Sequence, residues 1–481
     1  MGRYWNDGNI EFLGRLDNQV KIGGHDFKEP YLYIGELRHK MDIIVADNTL
    51  HRSYDIELTL SNFKEMLKSG GILLFKEYTI PNRLILNSVA LLEKGFSMIQ
   101  DLRKGSTNNY REEYKRMKKN IGILGATGLV GSSVLSALQG KGYALLIGAR
   151  NQYKLQCLKE EFSTENIEII QMDVFIPKQV EMFCSQCDVV INCTSPASIV
   201  GTRIVRECIK QGNDYIDPFG EGDVEKYIVD NKSMIGDKKT RIILSSGTYP
   251  GLSEALFKYV AEIHKGAEVS IKEYFYGNSY FSHGATQDVI SSMINNKSKS
   301  MSFFYKDEII PCKMRIGESI CIDEKVGTMY LYPIISKDFR RVCKETGVKE
   351  GCFFNTFSDL SSMASFFEIG SKIYHSNSMD TFGYTEQLEK MYRNKSTENE
   401  KTIFWFGIEL VNGNDVEKKL MSFEYACNWN SLSGYVCALV AEWCLNDEIS
   451  KGKAYNLDEI EGIQKFIESL PGEIKQNIVK L

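Results

Sequence analysis

The sequence predicts an α/β protein in which a Rossmann-type parallel sheet is followed by a second α+β domain and preceded by a partial α/β segment. Three observations predict it. A short apolar strand, Asn120-Ile121-Gly122-Ile123-Leu124, runs directly into Gly125, Gly128 and Gly131, and then into a helical run through Val134, Leu135 and Leu138. Strand and helix patterns alternate from there to about Lys265, which calls for a parallel sheet covered on both faces. From Glu268 the rhythm changes to aromatic and β-branched runs, Val269 to Tyr276 and Thr328 to Tyr332, which indicate a mostly antiparallel sheet.

In chain order, residues 1–36 hold only short strand-like pieces around Gly14, too little to fold alone. Residues 37–103 read as half of an α/β domain. Strand Asp42 to Ala46 precedes a helix through Ile56, Leu60, Phe63 and Leu67; Ser69-Gly70-Gly71 ends that helix, and strand Ile72 to Phe75 follows. Residues 104–119 are polar and charged and suit a linker. The nucleotide-binding domain is expected over 120–265 and the α+β substrate or dimerisation domain over 266–430. A C-terminal helical return is expected over 431–481, with Leu432, Val436, Leu439, Val440 and Trp443 on one helix face.

At roughly 100–200 residues per domain, 481 residues hold several folding units. A net charge of -5 gives no broad basic field, so nucleic acid is not an expected partner, and small polar or carrier-borne substrates fit better. No stretch reaches the ~18 apolar residues of a membrane span, and the first residues lack the apolar core of a secretory signal, so the reading is cytoplasmic. Twelve cysteines without dense spacing predict reduced, mostly buried thiols. Cys184 and Cys187 form a C-x-x-C, but Cys187 opens an apolar run and no second ligand pair stands nearby, so no metal site is expected.

The glycine loop carries the chemistry. One glycine permits the turn off the strand, the next lets the backbone approach a pyrophosphate, and the third lets helix and strand pack. Gly125, Thr127, Gly128, Leu129, Val130 and Gly131 are therefore the expected phosphate cradle. About twenty residues on, where an NAD site places an acid, the second strand (Tyr143 to Ile147) ends in Gly148-Ala149-Arg150. A guanidinium there pairs with a 2′-phosphate, so NADP is expected over NAD. A third strand, Glu168 to Val174, puts Asp173 and Val174 on the adenine side. Thr194-Ser195-Pro196 and the loop from Gly247, each following an apolar strand, are expected to line the rest of the cleft.

For catalysis, Tyr249 and Thr248 follow the last expected Rossmann strand, and His283 sits in a polar turn leaving the first strand of the second domain. Tyr249 and His283 are the candidate proton donors. Asp217 and Glu221 are candidates either for orienting the ribose or a substrate amine, or for capping a helix.

With these motifs in view, the region from about Asn120 to Leu481 resembles the saccharopine dehydrogenase-like reductases. The likeness rests on Gly125 to Gly131, Cys187 to Asn192, Asp214 to Asp217 with Gly220-Glu221, and Gly247 to Gly251. It implies a Rossmann domain joined to an α+β domain, and nicotinamide chemistry at a C–N or C–C double bond. The run Gly14-Arg15-Leu16-Asp17-Asn18-Gln19-Val20-Lys21-Ile22 is similar to the hinge motif of nonribosomal peptide synthetase adenylation domains. Met41 to about Arg103 resembles the last part of methyltransferase domains inserted in such synthetases, without their glycine-rich loop. Together these imply a shortened synthetase derivative whose intact part is the reductase.

The leading expectation is an NADPH-dependent reductase of an imine, thiazoline or enoyl group in nonribosomal peptide or siderophore-like metabolism. Its substrate would be a small molecule or carrier-bound, with synthetase modules as partners and a homodimer as an assembly. An opine- or saccharopine-type amino acid dehydrogenase is the alternative and requires an arginine-rich carboxylate pocket, for which Arg203, Arg206, Arg315, Arg340 and Arg341 are available. A non-catalytic synthetase fragment acting as a docking module is the third reading.

Overall fold

The computed structural model describes residues 2–4, 10–12, 39, 41–47, 64–76, 78–79, 84–85, 88–91, 119–162, 166–220, 222–265, 268–277, 279–294, 299–315, 317–375, 381–393, 401–470 and 479–480. The chain divides into two compact units, Met1–Lys115 and Arg116–Leu481. Most of the adenylation-like hinge and the whole expected linker up to Lys118 lie outside the described residues.

In the first unit, strand Met41–Asp47 pairs in parallel with strand Leu67–Lys76, and Ser88–Leu91 adds antiparallel to the latter. This corrects the expectation of a helix reaching Leu67 and stopped by Ser69-Gly70-Gly71. The helical residues described here are Lys64–Met66, and Leu67 already pairs with Met41. The register then jumps to Ile43 opposite Ile72, so the small residues between bulge out of the ladder instead of ending a helix.

In the second unit the first sheet is built from β1 (Asn120–Leu124), β2 (Ala144–Ala149), β3 (Ile167–Gln171), β4 (Val189–Asn192), β5 (Asp214–Ile216) and β6 (Arg241–Leu244). They lie in the order β3-β2-β1-β4-β5-β6, all parallel, the Rossmann arrangement. Alternate residues feed opposite cores. Ile121, Ile123, Val189 and Ile191 enter one and Leu124 and Val190 the other, which is why these strands read as continuous apolar runs.

Helix α1 (Leu129–Leu138) follows β1, α2 (Gln152–Phe162) follows β2 and α3 (Pro177–Cys184) follows β3. Helices α4 (Arg203–Gln211) and α5 (Asp223–Asp230) follow β4 and β5. Cys184 and Cys187 are both buried, and Cys184 Sγ lies 3.9 Å from Cys208 Sγ, so these thiols pack the core beneath the sheet. Burial raises the Cys187 and Cys208 thiols well above their ordinary range, so neither is a thiolate.

After β6, helix α6 (Leu252–Glu262) leads to the second sheet. Its main strands are β7 (Glu268–Gly277), β8 (Met329–Ile335), β9 (Glu350–Phe357), β10 (Thr402–Asn412) and β11 (Asp415–Tyr425), in the order β8-β9-β7-β10-β11. The pairing is antiparallel except for β7 with β9, which is parallel. Helices α7 (His283–Ile294), α8 (Lys337–Thr346), α9 (Leu360–His375) and α10 (Thr381–Arg393) are threaded between these strands.

The C-terminal return holds more than the expected helix. Helix α11 (Trp429–Leu445) buries Leu432, Val436, Val440 and Trp443, and then β12 (Lys453–Asn456) joins β6 in parallel as the seventh strand of the Rossmann sheet. Arg241 locks this return. Its guanidinium donates to Asp214 Oδ2 at 2.6 Å, to the Ile449 carbonyl at 2.7 Å and to Asp447.

Candidate functional site

At the carboxyl end of β1 the loop obeys its glycines. Gly125 has φ +74°, and a Cβ there would stand 2.6 Å from the Cys193 carbonyl oxygen; one on Gly131 would stand 2.3 Å from the Gly125 carbonyl oxygen. A Cβ on Gly128 meets only one protein atom, at 3.3 Å, so the space in front of Gly128 is left open by the protein itself. Gly128 is the N-cap of α1, without a side-chain cap, and the first turn carries no acid. The free N–H groups of a ten-residue helix thus face that space, which fits a pyrophosphate.

The other expected cofactor residues stand at neighbouring strand ends. Arg150, exposed, follows β2, and its carbonyl accepts from Gln171 Nε2 at 3.1 Å; it is not among the residues that line the cavity described below. Strand β3 ends at Gln171, short of the Val174 that the sequence suggests. Asp173 therefore lies in the following turn, where its carboxylate accepts from Phe175 N at 3.0 Å and Gln179 Oε1 holds its N–H at 2.7 Å. Val174 sits partly buried in the same turn.

Thr194 donates through N and Oγ1 to Asn192 Oδ1, Asn192 Nδ2 donates to Tyr215 at 2.9 Å, and Tyr215 donates to Asp217 at 2.6 Å. Asp217 also accepts from the N–H groups of Phe219 and Gly220 at 2.7 and 2.8 Å, so its buried carboxylate builds this turn and caps no helix. Burial raises its pKa against those hydrogen bonds. Glu221 lies outside the described residues.

A cavity of about 300 Å³ opens beside the glycine loop. Gly128, Leu129 and Val130 line it from α1, Thr194 and Ser195 from the end of β4, and Gly247 to Pro250 from the end of β6. Thr248 is fixed by α11, donating from N to Ser433 Oγ and from Oγ1 to the Trp429 carbonyl, both at 2.9 Å. The Tyr249 ring stacks on Phe353 with centroids 4.5 Å apart. Burial, with Glu254, Glu273 and Asp338 nearby, raises its hydroxyl well above the ordinary range, so Tyr249 keeps its proton. His283 is brought elsewhere. It is the first residue of α7, its side chain is 58% exposed, and Nδ1 pairs with Glu389 at 2.5 Å outside the cavity lining.

Asp338, in the first turn of α8, reaches the cavity and was missed by sequence reasoning. Burial, then Glu254, Glu225 and Asp458, push its carboxyl up to about 7 against the pull of Arg341. Ser245 Oγ lies 3.5 Å from it, and Ser336 Oγ, which caps α8, donates to Glu254 at 3.1 Å. Ser336-Lys337-Asp338 after an apolar strand is itself a readable N-cap, the one signal that places Asp338 at a strand-to-helix loop.

The arginines named from the sequence do not converge. Arg203 donates to the carbonyls of Ile199 and Val200, Arg206 lies over Tyr227, Arg341 grips Asp458 at 2.7 and 2.9 Å, and Arg315 and Arg340 are exposed. No arginine lines the cavity among the described residues. Its charged lining is Asp217, Glu225, Asp288, Asp338 and Lys337, and Lys337 is engaged by Glu225 at 2.5 Å. No described helix is long and apolar enough to cross a membrane, and no described cluster of His, Cys, Asp and Glu is arranged to hold a metal.

Residues 121–266 match the saccharopine dehydrogenase NADP binding domain. No curated protein matches the sequence. Among solved structures, the chain is similar to saccharopine dehydrogenase (L-Glu forming) from Saccharomyces cerevisiae, with a TM-score of 0.52 and 12% identity over 73% of this chain and 96% of that one. A meso-DAP dehydrogenase variant from Clostridium tetani (TM-score 0.39, 17% identity) covers 73% of this chain and 96% of its own. A DAP dehydrogenase from C. glutamicum (TM-score 0.37, 13% identity) covers 73% and 95%. These two superpose too loosely to support an argument, whereas the yeast enzyme shares the fold. Residues 121–266 are thus a saccharopine dehydrogenase-type NADP-binding domain, and 73% of the chain shares its fold with the yeast enzyme.

Proposed function

We propose that the chain is an NADPH-dependent reductase acting on a C=N group, an imine or thiazoline, held in the cavity beside the glycine loop. The observation that carries this reading is that one cavity of about 300 Å³ is bounded by Gly128, Leu129 and Val130 and also by Asp338. A phosphate cradle and a proton-exchanging carboxyl therefore face the same small space.

NADPH, when bound, supplies a hydride to the substrate carbon. The protein's own contributions are to hold and to protonate. The N-terminus of α1 takes the pyrophosphate, and Arg150 at the end of β2 pairs with a 2′-phosphate. Asp338, poised near neutrality, gives its proton to the substrate nitrogen as the C=N π bond becomes one C–H and one N–H bond, and is reprotonated from water. Tyr249 lines the site with its hydroxyl neutral.

The acidic lining selects among the expected substrates. Carboxylates stabilise a protonated C=N nitrogen and give nothing to a neutral enoyl group. Among the described residues the lining carries carboxylates and Lys337 but no arginine, whereas a dicarboxylic opine or saccharopine substrate calls for guanidinium partners. A place in nonribosomal peptide or siderophore-like biosynthesis, with a small or carrier-bound substrate, rests on the resemblances of the first hundred residues alone.

The test is NADPH binding followed by NADPH oxidation with cyclic imines and thiazolines. Tight binding and imine-dependent oxidation are expected. Neither is expected of a docking fragment, and oxidation driven only by an amino acid with a keto acid would replace this reading by the opine one.

A further inference from the structure

A second, larger cleft of about 720 Å³ lies against the first cavity. Four residues, Phe275, Asn355, Tyr392 and Trp429, line both spaces, so the two meet at this collar. The collar is tightly built. The Trp429 ring packs 5.9 Å from Tyr392 and 6.3 Å from Phe275, and Asn355 hydrogen-bonds Tyr392.

The cleft differs from the inner cavity in chemistry. Ser358, Ser361, Ser362 and Ser365 at the start of α9 face Gln387 and Lys390 of α10, and Asp359 is the cleft's acid. Asp359 is committed to its own turn, accepting from Ser361 Oγ at 2.6 Å and from Ser362 N and Oγ at 2.8 and 2.9 Å. What is offered to a ligand is therefore mainly hydroxyl and amide, with the exposed Lys390 as the one cation of the described lining. At the collar, Trp429 Nε1 lies buried with no hydrogen-bond partner among the described residues. A buried donor left without an acceptor is costly, and a ligand carbonyl at this point would remove the cost.

We propose that the substrate is a two-part molecule, with its reacting head in the inner cavity and an extended, uncharged tail bearing amides and hydroxyls in the outer cleft, where a tail carbonyl accepts from Trp429 Nε1. The inference rests on the reductase reading for the role of the head, but the tail site stands on the cleft itself. The inner cavity stands at the lower end of the size range of ligand sites and the outer cleft well inside it, so each can hold one part of such a molecule.

The experiment uses pantetheine, an uncharged chain of amides and hydroxyls, as the probe of the tail site, and titrates it into the full-length protein with and without NADPH. Octylammonium and octanoate serve as charged, amide-free controls. Saturable pantetheine binding is expected in both states, with neither control competing. Ser365→Trp, which fills the cleft from α9, is expected to abolish pantetheine binding while NADPH affinity is unchanged. Trp429→Phe keeps the ring and removes the donor, and is expected to weaken pantetheine about three- to ten-fold. Pantetheine that fails to bind wild-type protein, or binds both variants as it binds wild type, overturns the proposal. Loss of NADPH binding alone overturns the cofactor reading and leaves the cleft result standing.

Discussion

Gly434 on α11 lies so close to Ser133 on α1 that a Cβ on the glycine would stand 2.4 Å from the serine Cβ and 2.8 Å from the Ser133 carbonyl carbon. Backbone meets backbone at this crossing, so α11 fixes the helix that starts at the phosphate cradle. Gly434→Ala forces the two helices apart and is expected to cost about 1–3 kcal/mol. Urea unfolding measures the loss, and NADPH titration should show weaker binding because the start of α1 moves with the helix. Unchanged stability would mean that the contact is looser than described.

Asp338→Asn removes the proton-exchanging group while keeping its shape. Turnover with an imine is expected to fall about 10²- to 10⁴-fold. The wild-type rate should decline as pH rises through about 7, and the residual rate of the variant should lack that limb. The groups that set this titration are Glu254 of α6, Glu225 of α5, Asp458 beyond β12 and Arg341 on the same helix.

The same variant makes a stability prediction of fixed sign. A carboxyl whose pKa is higher folded than unfolded binds its proton more tightly in the native state, so its ionisation opposes folding. The penalty is absent below about 4 and grows until pH passes about 7. Asp338→Asn should therefore melt higher than wild type at pH 8 and no higher at pH 4. Equal melting at both values would place the carboxyl in a more solvated setting.

Arg150→Ala tests the cofactor preference. Loss of a charge-assisted contact to a 2′-phosphate is expected to weaken NADPH by about 10- to 100-fold and NADH hardly at all. Fluorescence titration with both cofactors reads the ratio, and an unchanged ratio would remove Arg150 from the site.

Arg241→Met probes the lock between β5, β6 and the C-terminal return. The side chain is 3% exposed, and its loss strands Asp214, whose pKa burial already raises against the pull of the arginine. A cost of about 3–5 kcal/mol is expected, because a buried charge is left uncompensated. The double variant Arg241→Met with Asp214→Leu should recover part of it.

Legibility in the sequence followed the range of the physics. The glycine loop was readable because each glycine answers to a contact within the loop or at the next strand, and apolar runs fix strands that are buried on both faces. The role proposed for Asp338 was not readable. Its raised pKa comes first from burial and then from Glu254, Glu225 and Asp458, which are far apart in sequence and meet only in the fold. His283 is held outside the cavity lining, at an exposed helix start and paired with Glu389. Strand β12, Lys-Ala-Tyr-Asn, is a short edge strand with no alternation to betray it. Leu67 falls at helical spacing after Leu60 and Phe63 in the sequence, yet it belongs to a strand whose bulge is absorbed by Gly70 and Gly71.

The pairing of β12 with β6 sets a constraint on synthesis. Until the ribosome has released the segment beyond Ile449, the edge of β6 has no neighbour, Arg241 has no Ile449 carbonyl to hold, and α11 is only just available to brace α1. A nascent chain carrying all of residues 121–266 therefore still lacks the finished nucleotide sheet, and must wait until Lys453–Asn456 has been made with that edge open to wrong partners. Chaperone dependence and ligand-assisted folding should accordingly concentrate in the interval before residues 450–456 emerge.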